Sequence, residues 1–418
     1  CRRRRRRTRT ALAHKDQYSF GLDLGTTKTC ALACQRNEEG KLEVAGLGVA
    51  ESRGWRKGVI VNLDSAVLAI KKAVEAAEAE AKASFEWAYL GVGGAHVKGV
   101  NSRGAFNLGA HSREVTFEDK VKAFQIAKGI TLPPDRELID ALRQEYLLDS
   151  QNGIRDPLGM TGKTLEVNVH LITASSTAWQ SIVTAANRSG IKVPDSGTVF
   201  EPLASAWACV SEDERELGVA LLDIGGGSSE LIVFHEGAVR HSAVLGIGGE
   251  HFTNDIAVGL RTPIPEAEKM KRLWGERDSG QPPQTVLEVP SVGERPSRVV
   301  SYAMLSEIIE PRALELLELL QTDLTRAGVD TQLRAGVVLT GGGAKLGGLV
   351  PLAEQVLGMP VRLGLPGGLE KMGEILPDPA FATVVGLVTY GNRLRLLRES
   401  GEKGWAGKLW GALRGKTN

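Results

Sequence analysis

Apolar residues fall along this chain in short continuous runs cut apart by glycine turns, and the runs alternate with stretches of helical period. Tyr18 to Gln35 holds two apolar runs around Gly25-Thr26-Thr27, which predicts two strands joined by a tight turn. Asp64 to Ala83, rich in alanine, lysine and glutamate, predicts a helix with Asp64 as its N-cap. Trp87 to Gly93 reads as a buried strand. From His96 to Glu166 the pattern turns polar and loop-rich, with Pro133-Pro134, and reads as an inserted module. Apolar runs resume in VNVHLITAS, the helix WQSIVTAANRSG and VFEPLASAWACV. After the acidic joint SEDERELG the strand–turn–strand pattern returns in LLDIGGGSSE, Leu221 to Glu230, followed by a glycine turn and a helix containing EAEKMKRLW. Gly275 to Pro296 predicts a loop with short strands, Ser301 to Thr322 a long amphipathic helix, AGVVLTGGG a strand, and Leu346–Leu357 and Phe381–Arg398 two further helices. Strands alternating with helices indicate an α/β fold with mostly buried sheets, and the repeated turn indicates two related halves.

Composition narrows the function classes. The chain has 418 residues and 42% hydrophobic content, enough for two large domains or one bilobed body. A net charge of +1 leaves nothing global to attract nucleic acid. Cys1, Cys30, Cys34 and Cys209 form no metal-ligand spacing, so a reduced, cytoplasmic protein is expected. No apolar run approaches the ~20 residues needed to span a bilayer. Residues 1–17, with the run Arg2 to Arg7 and no apolar core, predict a disordered, solvated tail rather than a signal peptide.

The repeated turn carries the candidate chemistry. Glycines at a tight turn let backbone N–H groups converge into an anion-binding nest, and Thr26, Thr27, Ser228 and Ser229 add hydroxyl donors. Asp23 and Asp223, each ending a strand, could hold a hydrated Mg²⁺. Two such hairpins facing each other would grip a pair of phosphates, although a hairpin turn rich in Gly and Ser is common without any ligand. Leu339 to Leu349 is a strand running into a glycine nest that opens a helix, suited to the ribose side of a nucleotide. Glu201 lies between apolar residues just before a helix, where a metal-bound water or the helix dipole would satisfy it. Glu268 and Lys271 share a helix face, which by itself is the pattern of a solvated ion pair.

With GLDLGTTKT, GVGGAHVKGVNSRGAF, EPLASA, the stretch from Leu221 to Lys271 and VVLTGGGAKLGGLVPLAEQVLGMPVRLGLP, the chain resembles the actin-like ATPase superfamily. Within that superfamily it is most similar to the FtsA family of bacterial cell-division proteins, in order from about residue 18 to 397. The resemblance implies an actin-like fold of two related lobes around a nucleotide cleft, with a small α/β subdomain inserted. Residues 18–95 and 167–212 would form the first lobe's core and 96–166 the inserted assembly subdomain. Residues 213–252 and 336–398 would form the second lobe's core, and 253–335 its outer, partner-binding subdomain. Residues 399–418 would be a linker and amphipathic helix.

The resemblance also implies roles. Asp23, Gly25, Thr26, Thr27 and Lys28 would make the first phosphate loop, and Asp223, Gly225, Gly226, Gly227, Ser228 and Ser229 the second. Asp23 and Asp223 would reach Mg²⁺ through water. Gly341, Gly342 and Gly343 would lie by the adenosine of ATP, Glu268 and Lys271 by its ribose or base, and Glu201 where the attacking water is oriented. ATP binding with at most slow hydrolysis is expected. So are self-assembly into filaments, binding to the C-terminal tail of FtsZ, contacts with other divisome proteins, and a peripheral place on the cytoplasmic side of the membrane at the septum. Arg295, Arg298 and Arg312 are candidate contacts for an acidic tail. The second loop reads Ser-Ser-Glu where Thr-Thr-Asp is usual, which keeps the hydroxyls.

The C-terminus gives its own signal. On a helical wheel Trp405, Leu409, Trp410 and Leu413 share one face, flanked by Lys403, Lys408 and Arg414, with Gly407, Gly411 and Gly415 opposite. That pattern predicts a helix lying in an anionic membrane interface, folded only on lipid and held by many weak copies on one filament. A sugar or acid kinase of the same superfamily, and a PilM-like pilus-assembly protein, are the alternative readings.

Overall fold

The computed structural model describes residues 18–56, 58–194, 197–276, 286–292 and 296–401. The arginine-rich start, Arg295 and the predicted lipid-facing residues Trp405, Leu409, Trp410 and Leu413 lie outside the described residues.

Two five-stranded sheets are built to one plan. In the first, Tyr18–Leu24, Lys28–Arg36 and Leu42–Glu51 form an antiparallel meander, and Tyr89–Val92 then Thr198–Phe200 add in parallel beside Tyr18–Leu24. In the second, Val219–Ile224, Ser229–His235 and Ala238–Leu245 form the meander, and Val337–Thr340 then Val361–Leu363 add in parallel beside Val219–Ile224. The first strand of each meander runs toward its hairpin tip, and the added strands run the same way. Each sheet therefore brings its hairpin tip and the carboxyl ends of its parallel strands to one edge, where open α/β sheets bind ligands.

Helices cover the sheets. Leu63–Ala81 lies on the first sheet with Ile70, Ala73 and Ala77 fully buried. Gly48 makes that approach possible, because any side chain there would overlap the Ala73 carbonyl. The N-cap of this helix is Asn62, whose side chain accepts the Ser65 N–H at 3.0 Å, and not Asp64, which sits in the first turn and complements the helix dipole. Ala382–Gly401 packs on Glu201–Cys209 and on Tyr18–Leu24, burying Val384, Val385, Leu387 and Val388 completely. Each such side chain contributes roughly 1.5–3 kcal/mol.

The polar segment expected to be loop-rich is largely strand. Gln151–Ile154, Arg136–Leu148, Thr164–Ser175 and Val97–Asn107 form a four-stranded sheet with the helix Phe117–Lys128 across one face. Leu165, Val167, Val169 and Leu171 meet Phe124 beneath that helix. The helix covers one face; the other carries polar Glu166, Asn168 and His170 and meets Ala238–Leu245, where His170 hydrogen-bonds Ser242 at 2.7 Å, so the segment reads as polar. In the second lobe Gly249–Gly259, Ile264–Glu276 and Tyr302–Ala327 pack together around Trp274, Leu305, Ile309 and Leu316. Among the described residues no helix is long and apolar enough to cross a membrane.

Candidate functional site

A cavity of about 720 Å³ lies where the two sheet edges face each other. Asp23, Gly25, Thr26, Thr27 and Lys28 line it from the first hairpin, and Asp223, Gly225, Gly226, Gly227 and Ser228 from the second. Glu201, Glu268, Lys271, Gly341, Gly342 and Gly343 also line it. The hairpin tips touch: a Cβ on Gly226 would stand 2.6 Å from Thr27 Cγ2.

Carboxylates crowd the floor. Asp223 Oδ2 accepts hydrogen bonds from Ser205 Oγ at 2.6 Å and Thr383 Oγ1 at 3.2 Å. Burial raises its pKa, and these bonds and Lys28 oppose the rise. Burial pushes Asp23 up to about 6 against the pull of Lys28, with Asp223 adding to the rise. Lys28 donates to the Ala380 carbonyl, stands 3.4 Å from Cys30 Sγ and lies 4.4 Å from the Phe381 ring centre. Burial alone would lower its pKa, but Cys30, Asp23 and Asp223 more than offset this, so Lys28 stays charged.

Glu201 is the first residue of Glu201–Cys209. It faces Glu230 across Gly93, where an added Cβ would collide with both carboxyl groups. Glu230 accepts the Gly94 N–H through Oε1, while its buried Oε2 has no partner. Burial, then the charge of Asp223, pushes Glu230 up to about 8. Burial, Glu230, Asp23 and Asp223 together raise Glu201 well above the usual carboxylate range. Glu230 therefore favours its protonated form at neutral pH, and Glu201 is shifted in the same direction. Sequence reasoning gave Glu230 no role. Its signal was the hairpin register, which sets Glu230 directly across from Asp223.

Two expected details change. Ser229 does not serve the cleft with its hydroxyl: the side chain is fully buried, and Oγ donates to the Ile247 carbonyl at 2.6 Å. The glycine nest does not open directly into a helix. Gly341, at φ +82°, leads into a 3₁₀ turn over Gly342–Lys345, and the helix Leu349–Leu357 follows.

Glu268 and Lys271 pair at 2.7 Å on the cavity wall rather than in bulk solvent. Thr253 donates to Glu268 at 2.6 Å, and Lys271 donates to the Gly249 carbonyl at 3.0 Å. Burial would raise the Glu268 pKa, but Lys271 and Thr253 overcome it and leave it lowered. Further cavity residues that sequence reasoning missed are Gly93, Gly94, Lys345 and the segment Ala380, Phe381 and Thr383. Lys345 is tied to Asp378.

Of the cations expected to meet an acidic tail, Arg312 is already engaged. It binds Asp255 through two nitrogens at 2.7 and 3.1 Å and also pairs with Glu315. Arg298 donates to the Leu260 carbonyl.

The arrangement fits a nucleotide. The cavity offers backbone nests from two hairpins, hydroxyl donors and a cationic side chain, with glycines wherever a Cβ would fill the cradle. Among the described residues no three His, Cys, Asp or Glu side chains come together to ligate a metal directly. A cation here would be held by the ligand's phosphates and by waters on the carboxylates, as suits Mg²⁺.

Comparison with known proteins gives a consistent picture. The family model described as "Cell division protein FtsA" matches residues 220–386, and "SHS2 domain inserted in FTSA" matches 94–173. The chain is 41% identical over 379 residues to the cell division protein FtsA of Pseudomonas aeruginosa, covering 89% of this chain and 88% of the relative. It is 37% identical over 388 residues to that of Escherichia coli, covering 91% of each, and 33% identical over 381 residues to that of Bacillus subtilis, covering 91% and 84%. Among solved structures, a PilM–PilN type IV pilus biogenesis complex matches at TM-score 0.62 and 18% identity, over 90% of this chain and 98% of that one. MreB5 of Spiroplasma citri bound to ADP matches at 0.55 and 12% identity, over 93% and 100%. These last two likenesses concern the fold, which is that of the actin-like ATPases.

Proposed function

The chain belongs to the FtsA family of cell division proteins, and from that membership we propose an ATP-binding, actin-like protein that polymerises and tethers the FtsZ ring to the inner face of the cytoplasmic membrane. The observation that carries the nucleotide part is the meeting of two hairpin tips over one cavity, with Lys28 and four carboxyl groups on its floor. Gly25 to Lys28 and Gly225 to Ser228 hold the phosphates. Gly341 to Gly343, Glu268 and Lys271 hold the adenosine side, and Asp23 and Asp223 orient waters on Mg²⁺. The bound Mg²⁺ supplies positive charge against the phosphate oxygens.

We assign Glu201 to orienting the attacking water. Burial first, then the charge of Glu230, raises the Glu201 pKa, which disfavours the ionised form that would accept a proton. Turnover is therefore slow or negligible.

The segment around 96–166 carries subunit contacts in the filament, and 253–335 receives the FtsZ tail. The residues Trp405, Leu409, Trp410 and Leu413 enter the lipid interface, and other division proteins are recruited at the septum. The pilus-assembly reading keeps only a likeness of fold in its favour.

The test is sedimentation of the full chain with anionic vesicles and Mg-ATP, with a labelled FtsZ C-terminal peptide present. Native protein should carry the peptide into the pellet, and Trp410→Glu should leave both in solution with ATP binding intact. Equal pelleting of the two proteins would refute the tether, and a native pellet without peptide would refute the partner.

A further inference from the structure

The two oxygens of the Asp223 carboxyl have different surroundings. Oδ2 takes two hydroxyl donors, Ser205 Oγ at 2.6 Å and Thr383 Oγ1 at 3.2 Å, and these hydroxyls stand 3.1 Å from each other. Oδ1 takes no hydrogen bond among the described residues and is open to the cavity that Asp223 lines. An added Cβ on Gly341 would overlap Oδ1, so this oxygen faces the glycine-lined wall. Two donors on one oxygen fix the carboxyl plane and leave the other oxygen for the ligand side.

The donors come from two helices that converge at the floor. Ser205 is fully buried and lies four residues after Glu201 on Glu201–Cys209. Residues four apart share a helix face, so the turn that brings Glu201 to the cavity also brings Ser205 to Asp223. Thr383 stands near the start of Ala382–Gly401 and lines the cavity itself. Gly386, three residues on, lets the two helices meet, because a Cβ there would overlap the Ala204 carbonyl. That close approach sets Thr383 beside Ser205. Burial raises the Asp223 pKa, and the bonds from Ser205 and Thr383 oppose the rise. A hydrated Mg²⁺ needs a carboxylate that is charged and held in one orientation.

We propose that Ser205 and Thr383 are positioning residues for the metal: they clamp Asp223 through Oδ2 so that Oδ1 receives a water on nucleotide-bound Mg²⁺. The inference rests on the nucleotide reading of the cleft and adds to it the two hydroxyls that make the second hairpin's acid a metal-facing group.

The test is calorimetric titration of the full chain with ADP, once with Mg²⁺ and once in EDTA. The readout is the ratio of the two affinities, which no turnover enters. Native protein should bind Mg-ADP about tenfold or more tighter than metal-free ADP. Ser205→Ala should bring that ratio down about tenfold, toward one, with metal-free ADP affinity within about twofold of native. Thr383→Val should lower the ratio about threefold or more, and Thr383→Ser, which keeps the hydroxyl, should restore it to within about twofold. Thr383→Val keeps the shape of the side chain, so this pair of variants reads the hydroxyl without disturbing the packing. A native ratio that survives in both Ser205→Ala and Thr383→Val overturns the proposal and leaves the nucleotide reading standing, since hydroxyls that only stabilise the fold would not move it. Equal losses in Thr383→Ser and Thr383→Val also overturn it. A native ratio near one overturns the proposal and the Mg-nucleotide reading together.

Discussion

In the first hairpin Asp23 stands across from Cys30 and the turn closes on Lys28; in the second Asp223 stands across from Glu230 and the turn closes on Ser228. The backbones match. A Cβ on Gly25 would meet the Lys28 carbonyl at 3.0 Å, and one on Gly225 would meet the Ser228 carbonyl at 3.1 Å. The next hydroxyl is tied in both cases to the end of the third strand, Thr29 to Ser52 at 2.8 Å and Ser229 to the Ile247 carbonyl at 2.6 Å. The charges differ. One loop brings a lysine to the floor and the other a second acid, so the first answers phosphate charge while the second stores a proton beside Glu201. Shared geometry makes the cradle, and the unlike residues on it set its electrostatics.

The largest effect that would break this comparison is steric. Gly226→Val puts branched carbons where Thr27 already sits, so Mg-ATP affinity should fall about a hundredfold or more by calorimetry, whereas Thr27→Ala should cost less than about tenfold. Similar losses in both would mean that the tips do not meet as described. Next, Lys28→Met removes the cation beside Asp23 and Asp223. Affinity should drop by about ten- to a hundredfold, and an unchanged value would remove Lys28 from the phosphate loop.

The third prediction concerns protons. A carboxyl whose folded pKa is raised adds stability fully below its unfolded pKa and loses that contribution as pH rises through the folded value. For Glu230 the window runs from the ordinary 4.5 to about 8. The ligand-free protein should therefore lose stability across it, at no more than about 1.4 kcal/mol per pH unit for one proton. Glu230→Gln should flatten that slope in chemical denaturation at pH 6 and 8.5, and a slope as steep as native would contradict the stored proton. The smallest effect is Ser229→Ala. It should cost about 1 kcal/mol of stability and leave nucleotide affinity within about twofold, because its hydroxyl serves the third strand.

Much of the cleft was legible because the sequence writes each hairpin locally: an apolar strand, an acid, glycines and hydroxyls within ten residues. Glu201, Glu268 and Lys271 also reach the cavity, but only the resemblance gave them a shared place. What stayed hidden depends on pairing and on long-range packing. Glu230 matters through its register opposite Asp223, and Phe381 and Thr383 reach the floor from a segment more than 150 residues away. Ser229 misled because a hydroxyl in a glycine turn reads the same whether it points to the ligand or to the next strand. The inserted sheet misled because its face away from the helix carries polar residues such as Glu166, Asn168 and His170, the last paired with Ser242. Asn62 was displaced by Asp64 as the expected cap because either side chain can accept from a first-turn N–H, and only the backbone bend separates them.

The central claim is that both hairpins engage one ligand at once. Amide hydrogen exchange on the full chain, with and without Mg-ADP, tests it most directly. The account predicts that peptides covering Gly25–Lys28 and Gly225–Ser228 gain protection together, at the same ligand concentration, with Gly341–Gly343 following them. Protection of one hairpin alone, or of the two at clearly different concentrations, would contradict it.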